Sequence, residues 1–284
     1  MQNGKRFVSS MCALLLVLQS VDSLAQGSRP NASGELADIR AAPGIVVAVW
    51  ATQLRGPRGL LVDSTGSLWI AEESGGAVTK ISQDGRRETV ASGIDGPHDL
   101  EIDSRGDIYV AETATGRVVI VSPGRKPRVY IEGLTGPVDL AFNPKGELVV
   151  CDLAGRRVTA FASPNKGRTV VEGFRPHGLA FGKDGTVYVN DTSGRRIVRV
   201  SPSGKVEPLA LDVHIPIGIA IGRSGDFYVP ERGAGKLLRI KQDGTRIIVV
   251  EGLTTPRDPA FDAAGNLFIA ETDAGRVLRL SGDF

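Results

Sequence analysis

Cysteine is nearly absent. Cys12 and Cys151 are the only two, which excludes a disulfide framework and a zinc site built from clustered cysteines. A charge of one sign is missing too: 34 Lys and Arg face 32 Asp and Glu, for a formal net charge of +2. No basic field therefore draws the chain to nucleic acid or anionic lipid, and no phosphate loop or nucleic-acid motif occurs. Aromatic residues are only 5% of the chain, and no long helical pattern or apolar run follows the first 25 residues. What is plentiful is glycine, with 36, and proline, with 16, in a chain otherwise 41% apolar and 23% charged. That balance excludes a disordered or collagen-like chain and suits many tight turns between short strands.

The first 25 residues read as a secretory signal peptide. Lys5 and Arg6 form a basic start, Phe7 to Val21 is mostly apolar, and Ser23-Leu24-Ala25 resembles a small-x-small cleavage site. Ser9, Ser10, Gln19, Ser20 and Asp22 interrupt the stretch, against the roughly 20 continuous apolar residues of a membrane anchor. The expectation is an exported protein, periplasmic or secreted, with no membrane contact after the leader is removed. Residues 26–43 read as a polar lead-in and 44–284 as one domain. Asn31-Ala32-Ser33 and Asn190-Asp191-Thr192 match the glycosylation sequon.

One repeat governs that domain. A proline recurs at Pro57, Pro97, Pro137, Pro176, Pro216 and Pro256, at spacings of 40, 40, 39, 40 and 40. The second copy, Gly96 to Gly124, is the cleanest. In it Leu100-Glu101-Ile102, Ile108 to Ala111, Val118 to Val121 and Arg128 to Ile131 are separated by Gly106, Gly116 and Ser122-Pro123. Four short strands in about 40 residues, repeated six times, predict an all-β six-bladed β-propeller of four-stranded blades. The sixth copy stops at its third strand, Val277 to Ser281, whereas Gly44 to Trp50 runs directly into the first copy. An N-terminal strand is thus expected to complete the last blade and close the ring, leaving no open edge.

Tyr109-Val110-Ala111-Glu112 and Gly116-Arg117-Val118 resemble the motif of the NHL-type six-bladed propellers. The resemblance covers nearly the whole domain and implies the fold more firmly than any function. Similar propellers include streptogramin lyases, gluconolactonase-like and strictosidine-synthase-like proteins, and the peptidyl-hydroxyglycine amidating lyases.

A residue present in every blade reads as scaffold. Glu72, Glu112, Asp152, Asp191, Glu231 and Glu271 each close a second strand, and a base follows five positions later at Arg117, Arg157, Arg196, Lys236 and Arg276. The first blade departs, with Ala77 where the base belongs. Glu72, with Glu73 beside it, then either neutralises Arg58 or faces a metal or substrate. Cys151 stands where other blades have alanine and reads as a small buried filler.

The position after each proline carries the candidate chemistry. It reads Arg58, His98, Val138, His177, Ile217 and Arg257, which in a propeller forms a ring at one mouth of the channel. His98 and His177 are two of only three histidines; His214 reads as a loop residue. Imidazole suits a divalent ion or acid–base work. Pro97-His98-Asp99-Leu100 and Pro176-His177-Gly178-Leu179 resemble elements that carry metal-binding histidines in amidating lyases and an essential histidine in streptogramin lyases. Against this, both histidines could simply cap the inner strands by bonding loop carbonyls. Arg58 and Arg257 become neighbours on ring closure and could clamp a carboxylate or phosphate, or be solvated rim charges. Asp99, Asp139 and Asp258 follow as residues that could orient them.

These readings converge on an exported, monomeric propeller with a small-molecule or peptide ligand at the channel mouth. The favoured activity is a metal-assisted lyase or lactone-type hydrolase. His98, His177 and Glu72 are its candidate catalytic residues, Arg58 and Arg257 bind substrate, and His98 and His177 hold a divalent ion, with calcium, magnesium and zinc not distinguished. The alternative is a non-enzymatic propeller that binds a protein, peptide or glycan.

Overall fold

In the first repeat Asp63 turns the chain back by accepting hydrogen bonds from the Thr65 and Ser67 amides at 2.8 and 3.0 Å, while Gly66 takes φ 75°. That left-handed conformation is open to glycine at no steric cost. Asp103 and Gly106 repeat the device in the second repeat. Such turns join short strands. In a computed structural model that describes residues 36–122, 124–164 and 166–284, they build six antiparallel sheets. The body they form runs from Asp38 to Phe284. The leader at 1–25 and the Asn31 sequon lie outside the described residues.

The six-bladed propeller is thus observed. Blade 2 comprises Pro97–Ile102, Ile108–Glu112, Arg117–Val121 and Arg128–Ile131 in sequential order. The first strands of the other blades are Pro57–Val62, Pro137–Phe142, Pro176–Phe181 and Pro256–Phe261, and, in blade 5, only Ala220–Ile221 with an isolated bridge from Pro216 to Glu231. These strands pack against one another around the centre. The core lies between blades. Ala71 and Val78 of blade 1 meet Leu100 and Val110 of blade 2, and the same contact recurs around the ring, for example between Val149 and Val189. Each such buried aliphatic side chain contributes roughly 1.5–3 kcal/mol.

The ring closes as the ends of the sequence require. Val46–Ala51 pairs antiparallel with Arg276–Ser281, so an N-terminal strand completes blade 6. Trp50 then meets Phe268 edge-on at 5.4 Å. The lead-in is not wholly outside the sheets: Arg40–Ala41 adds a fifth strand to blade 5, opposite Glu251 and Val250. A two-residue strand carries no periodic signal, and for that reason the sequence conceals it.

The repeated acids are structural. Each accepts a backbone N–H from the loop that leads into its own blade, at 2.5–3.2 Å: Arg55 to Glu72, Asp95 to Glu112, Thr135 to Asp152, Arg175 to Asp191, His214 to Glu231 and Thr254 to Glu271. The expected base completes the pair in four blades: Arg117–Glu112 at 2.6 Å, Arg157–Asp152 at 3.1 Å, Arg196–Asp191 at 3.0 Å and Arg276–Glu271 at 2.5 Å. In blade 5 Lys236 turns instead to Glu251.

Blade 1 corrects the expectation for Glu72. Its carboxylate forms no ion pair with Arg58, which pairs with Glu73 instead. Arg87, on the fourth strand, supplies the base that Ala77 lacks, at 3.2 Å, and Thr79 donates to the same carboxylate. These bonds tie the acid to its incoming loop and to the third and fourth strands of its own blade.

Candidate functional site

Each ring side chain is aimed by the first residues of an inner strand, immediately after a proline whose fixed φ stiffens the approach. Arg58 and Arg257 fall on contacting strands. Val138, between the two histidine positions, is short. The imidazoles of His98 and His177 therefore meet across it, ring centroids 5.1 Å apart and planes tilted by 58°. They are 3% and 7% exposed, and neither Nδ1 has a hydrogen-bond partner.

Their protonation follows from these surroundings. Burial holds His98 well below the usual imidazole range, with His177, Arg58 and Arg257 acting in the same direction. Burial, then Arg257 and Arg58, push His177 down to about 3. Both rings are neutral at pH 7, each carrying one donor and one acceptor nitrogen.

Arg257 is 3% exposed. Burial, followed by the charges of Arg58 and Arg232, lowers its pKa to about 10, so it remains a cation at neutral pH. Arg58 pairs with Glu73 at 2.5 Å. The Nε atoms of both arginines are buried without an acceptor.

One step deeper the ring reads Gly59, Asp99, Asp139, Gly178, Gly218 and Asp258. Glycine is required where an aspartate of the next blade leans in: a Cβ on Gly59 or Gly218 would collide with Asp99 or Asp258. Asp99 accepts from the Leu140 amide at 3.1 Å and Asp139 from Leu179 at 3.0 Å, each tying its blade to the next. Burial raises both well above the carboxylate range, with Asp258 adding to each and Asp99 adding to Asp139. Asp258 has no partner on either oxygen. Burial lifts it to about 7 against the pull of Arg257 and Arg58.

A divalent ion does not fit these residues. Among the described residues no three His, Cys, Asp or Glu side chains converge as a metal shell. The expectation of a His98–His177 metal centre thus lacks a third ligand, and the arginine charges that depress the imidazoles would also oppose a cation.

Two members of the mouth escaped the sequence reading, Glu73 as partner of Arg58 and Arg232 as a third guanidinium near Arg257 and His177. Both occupy the position after a second-strand acid. Other blades have Thr113, Leu153, Thr192 and Thr272 there, so tabulating that column would have exposed them. Elsewhere, Cys151 is fully buried filler, and His214 is exposed and contacts Arg195. Asn190 is buried and donates to the carbonyls of Ile217 and Gly218, both at 2.8 Å, which removes it as a glycosylation acceptor.

No protein-family profile matches the chain, and no curated protein sequence does. Solved structures do. A streptogramin B lyase structure is similar at 16% identity, covering 86% of this chain and 100% of its own, with a TM-score of 0.67. A gluconolactonase from Xanthomonas campestris is similar at 16% identity, 86% and 91% coverage and a TM-score of 0.76. Regucalcin, a calcium-binding protein from Agrobacterium tumefaciens, matches at 18% identity, 85% and 94% coverage and a TM-score of 0.71. At such identities the likeness establishes the shared six-bladed fold.

Proposed function

We propose that this chain is an enzyme that cleaves a carbon–oxygen ester or lactone bond in a small molecule bound at the channel mouth. The observation that carries this reading is the buried pair of neutral imidazoles, His98 and His177, each with an unpartnered Nδ1. Buried polar atoms without partners are rare in folded proteins and mark places where a ligand completes the bonding.

One imidazole accepts a proton, from a carbon beside the carbonyl in an elimination or from water in a hydrolysis. The same ring then returns that proton to the departing oxygen, while the other, neutral, donates a hydrogen bond to the carbonyl oxygen, so the pair ends as it began. Arg58 and Arg257 stabilise the negative charge that develops on oxygen. A streptogramin lyase and a gluconolactonase among the similar structures give these two reaction types their place in the reading. The leader read at residues 1–25 supports export, which N-terminal sequencing of the secreted protein tests.

The catalytic test is cleavage of a panel of small esters and lactones in 18O-labelled water, by the parent and by His98→Gln and His177→Gln. Loss of about a hundredfold or more in each variant is expected for an acid–base pair. Label in the product marks hydrolysis, and an unsaturated, unlabelled product marks elimination. Cleavage that survives both substitutions overturns the reading.

A further inference from the structure

Arg257 is a buried cation that Asp258 and Glu73 act on from a distance but that no carboxylate contacts. Among the described residues it forms no ion pair, whereas Arg276, similarly buried, pairs with Glu271 at 2.5 Å. A buried charge left uncompensated is among the costliest features a fold can hold. The unpartnered Nε atoms of Arg257 and Arg58 sharpen the point, because a guanidinium nitrogen only donates. Whatever satisfies them must bring acceptors, and two of them on neighbouring blades.

Arg58 already shows what such an acceptor looks like. Its Nη2 is held at 2.5 Å by Oε2 of Glu73, a side chain one-third exposed at the rim, while its Nε stays free. Arg232 adds a third positive charge close enough to act on Arg257 and His177. Three guanidiniums thus stand against one rim carboxylate, Glu73, and the buried Asp258, whose pKa burial lifts to about 7, and a small anion corrects the remaining imbalance. Resting on the catalytic reading above, we infer that the substrate carries a small organic carboxylate group, held by Arg257 and Arg58, with Glu73 as the internal counter-ion that it displaces from Arg58. Glu73 already seats a carboxylate oxygen on Arg58, and the substrate's carboxylate is the group that takes that place.

Calorimetric titration of the full chain with malonate and, separately, with inorganic phosphate tests this, with potassium chloride as the ionic-strength control. Saturable malonate binding is expected, tighter than phosphate. Arg257→Gln should weaken it by about tenfold or more, and Glu73→Gln should strengthen it roughly two- to fivefold. If Arg257→Gln fails to fold, Glu73→Gln at its partly exposed position carries the test alone. No saturable malonate binding, tighter binding of phosphate, or an affinity unchanged by Glu73→Gln overturns the assignment. The two readings separate cleanly. Malonate binding with no histidine-dependent cleavage leaves the anion site and removes the catalysis, and cleavage of neutral esters without malonate binding does the reverse.

Discussion

His98 and His177 come from blades 2 and 4, yet their rings stand 5.1 Å apart because the blade between them offers only Val138 at the same level. Shortness at one ring position thus creates a pair that no local spacing encodes. The same pair lies within the field of Arg58 and Arg257, so its protonation is set by burial and by positive charge together.

That coupling makes stability depend on pH in a definite direction. His177 titrates at about 3 in the fold, below its ordinary value of 6.5. As pH falls below 6.5 the unfolded chain takes up a proton that the folded chain refuses, so this stability is present above 6.5 and is lost progressively toward 3. Asp99, Asp139 and Asp258 are raised by burial and act in the opposite sense, so the comparison must be with a variant. His177→Gln should lose less stability than the parent between pH 7.5 and 4.5 in urea unfolding. Parallel curves would show that His177 titrates normally.

The partner switch in blade 1 gives a second expectation. Arg87→Leu leaves the Glu72 carboxylate, 3% exposed, without its base and should cost about 1–2 kcal/mol, moderated by the partial exposure of Arg87. Restoring the base where the other blades keep it, as Ala77→Arg in the Arg87→Leu background, should recover at least half of that loss. A double variant no more stable than Arg87→Leu would break the equivalence of the two positions.

Blade 5 depends on its neighbour. Its inner strand is regular only at Ala220–Ile221, and the Asn190 amide bonds the carbonyls of Ile217 and Gly218 where the strand is irregular. Asn190→Ala should destabilise the fold by about 1–3 kcal/mol, the cost of orphaning buried acceptors. Unfolding at the parental denaturant midpoint would show that water replaces the amide.

The fold was legible because it is periodic. Prolines at one spacing, glycine turns and complementary incomplete ends specify blade number and closure before any contact is known. The mouth was legible only in part. The column Arg58, His98, His177, Arg257 falls at one repeat position, so aligning the copies collects it. The reach of Glu73 to Arg58 and of Arg87 to Glu72 depends on side-chain length and on strand pairing across 15 residues, so a repeat column can mark Glu73 as unusual but not name its partner. No metal site is seen among the described residues, and residue type alone cannot anticipate this: it suggests ligands, but the field of neighbouring guanidiniums also weighs on a cation.

The most direct test of the mouth as an anion-tuned imidazole site is nitrogen NMR of the three histidines in 15N-labelled protein, titrated from pH 4 to 8 with and without saturating malonate. Without malonate, His98 and His177 should remain neutral across the range. Malonate screens Arg257 and Arg58 and should raise the pKa of His177 toward the ordinary value, since those charges rank next to burial in holding it down. Protonation of both rings near pH 6.5 in the free protein, or a His177 titration indifferent to malonate, would contradict the arrangement proposed for this site.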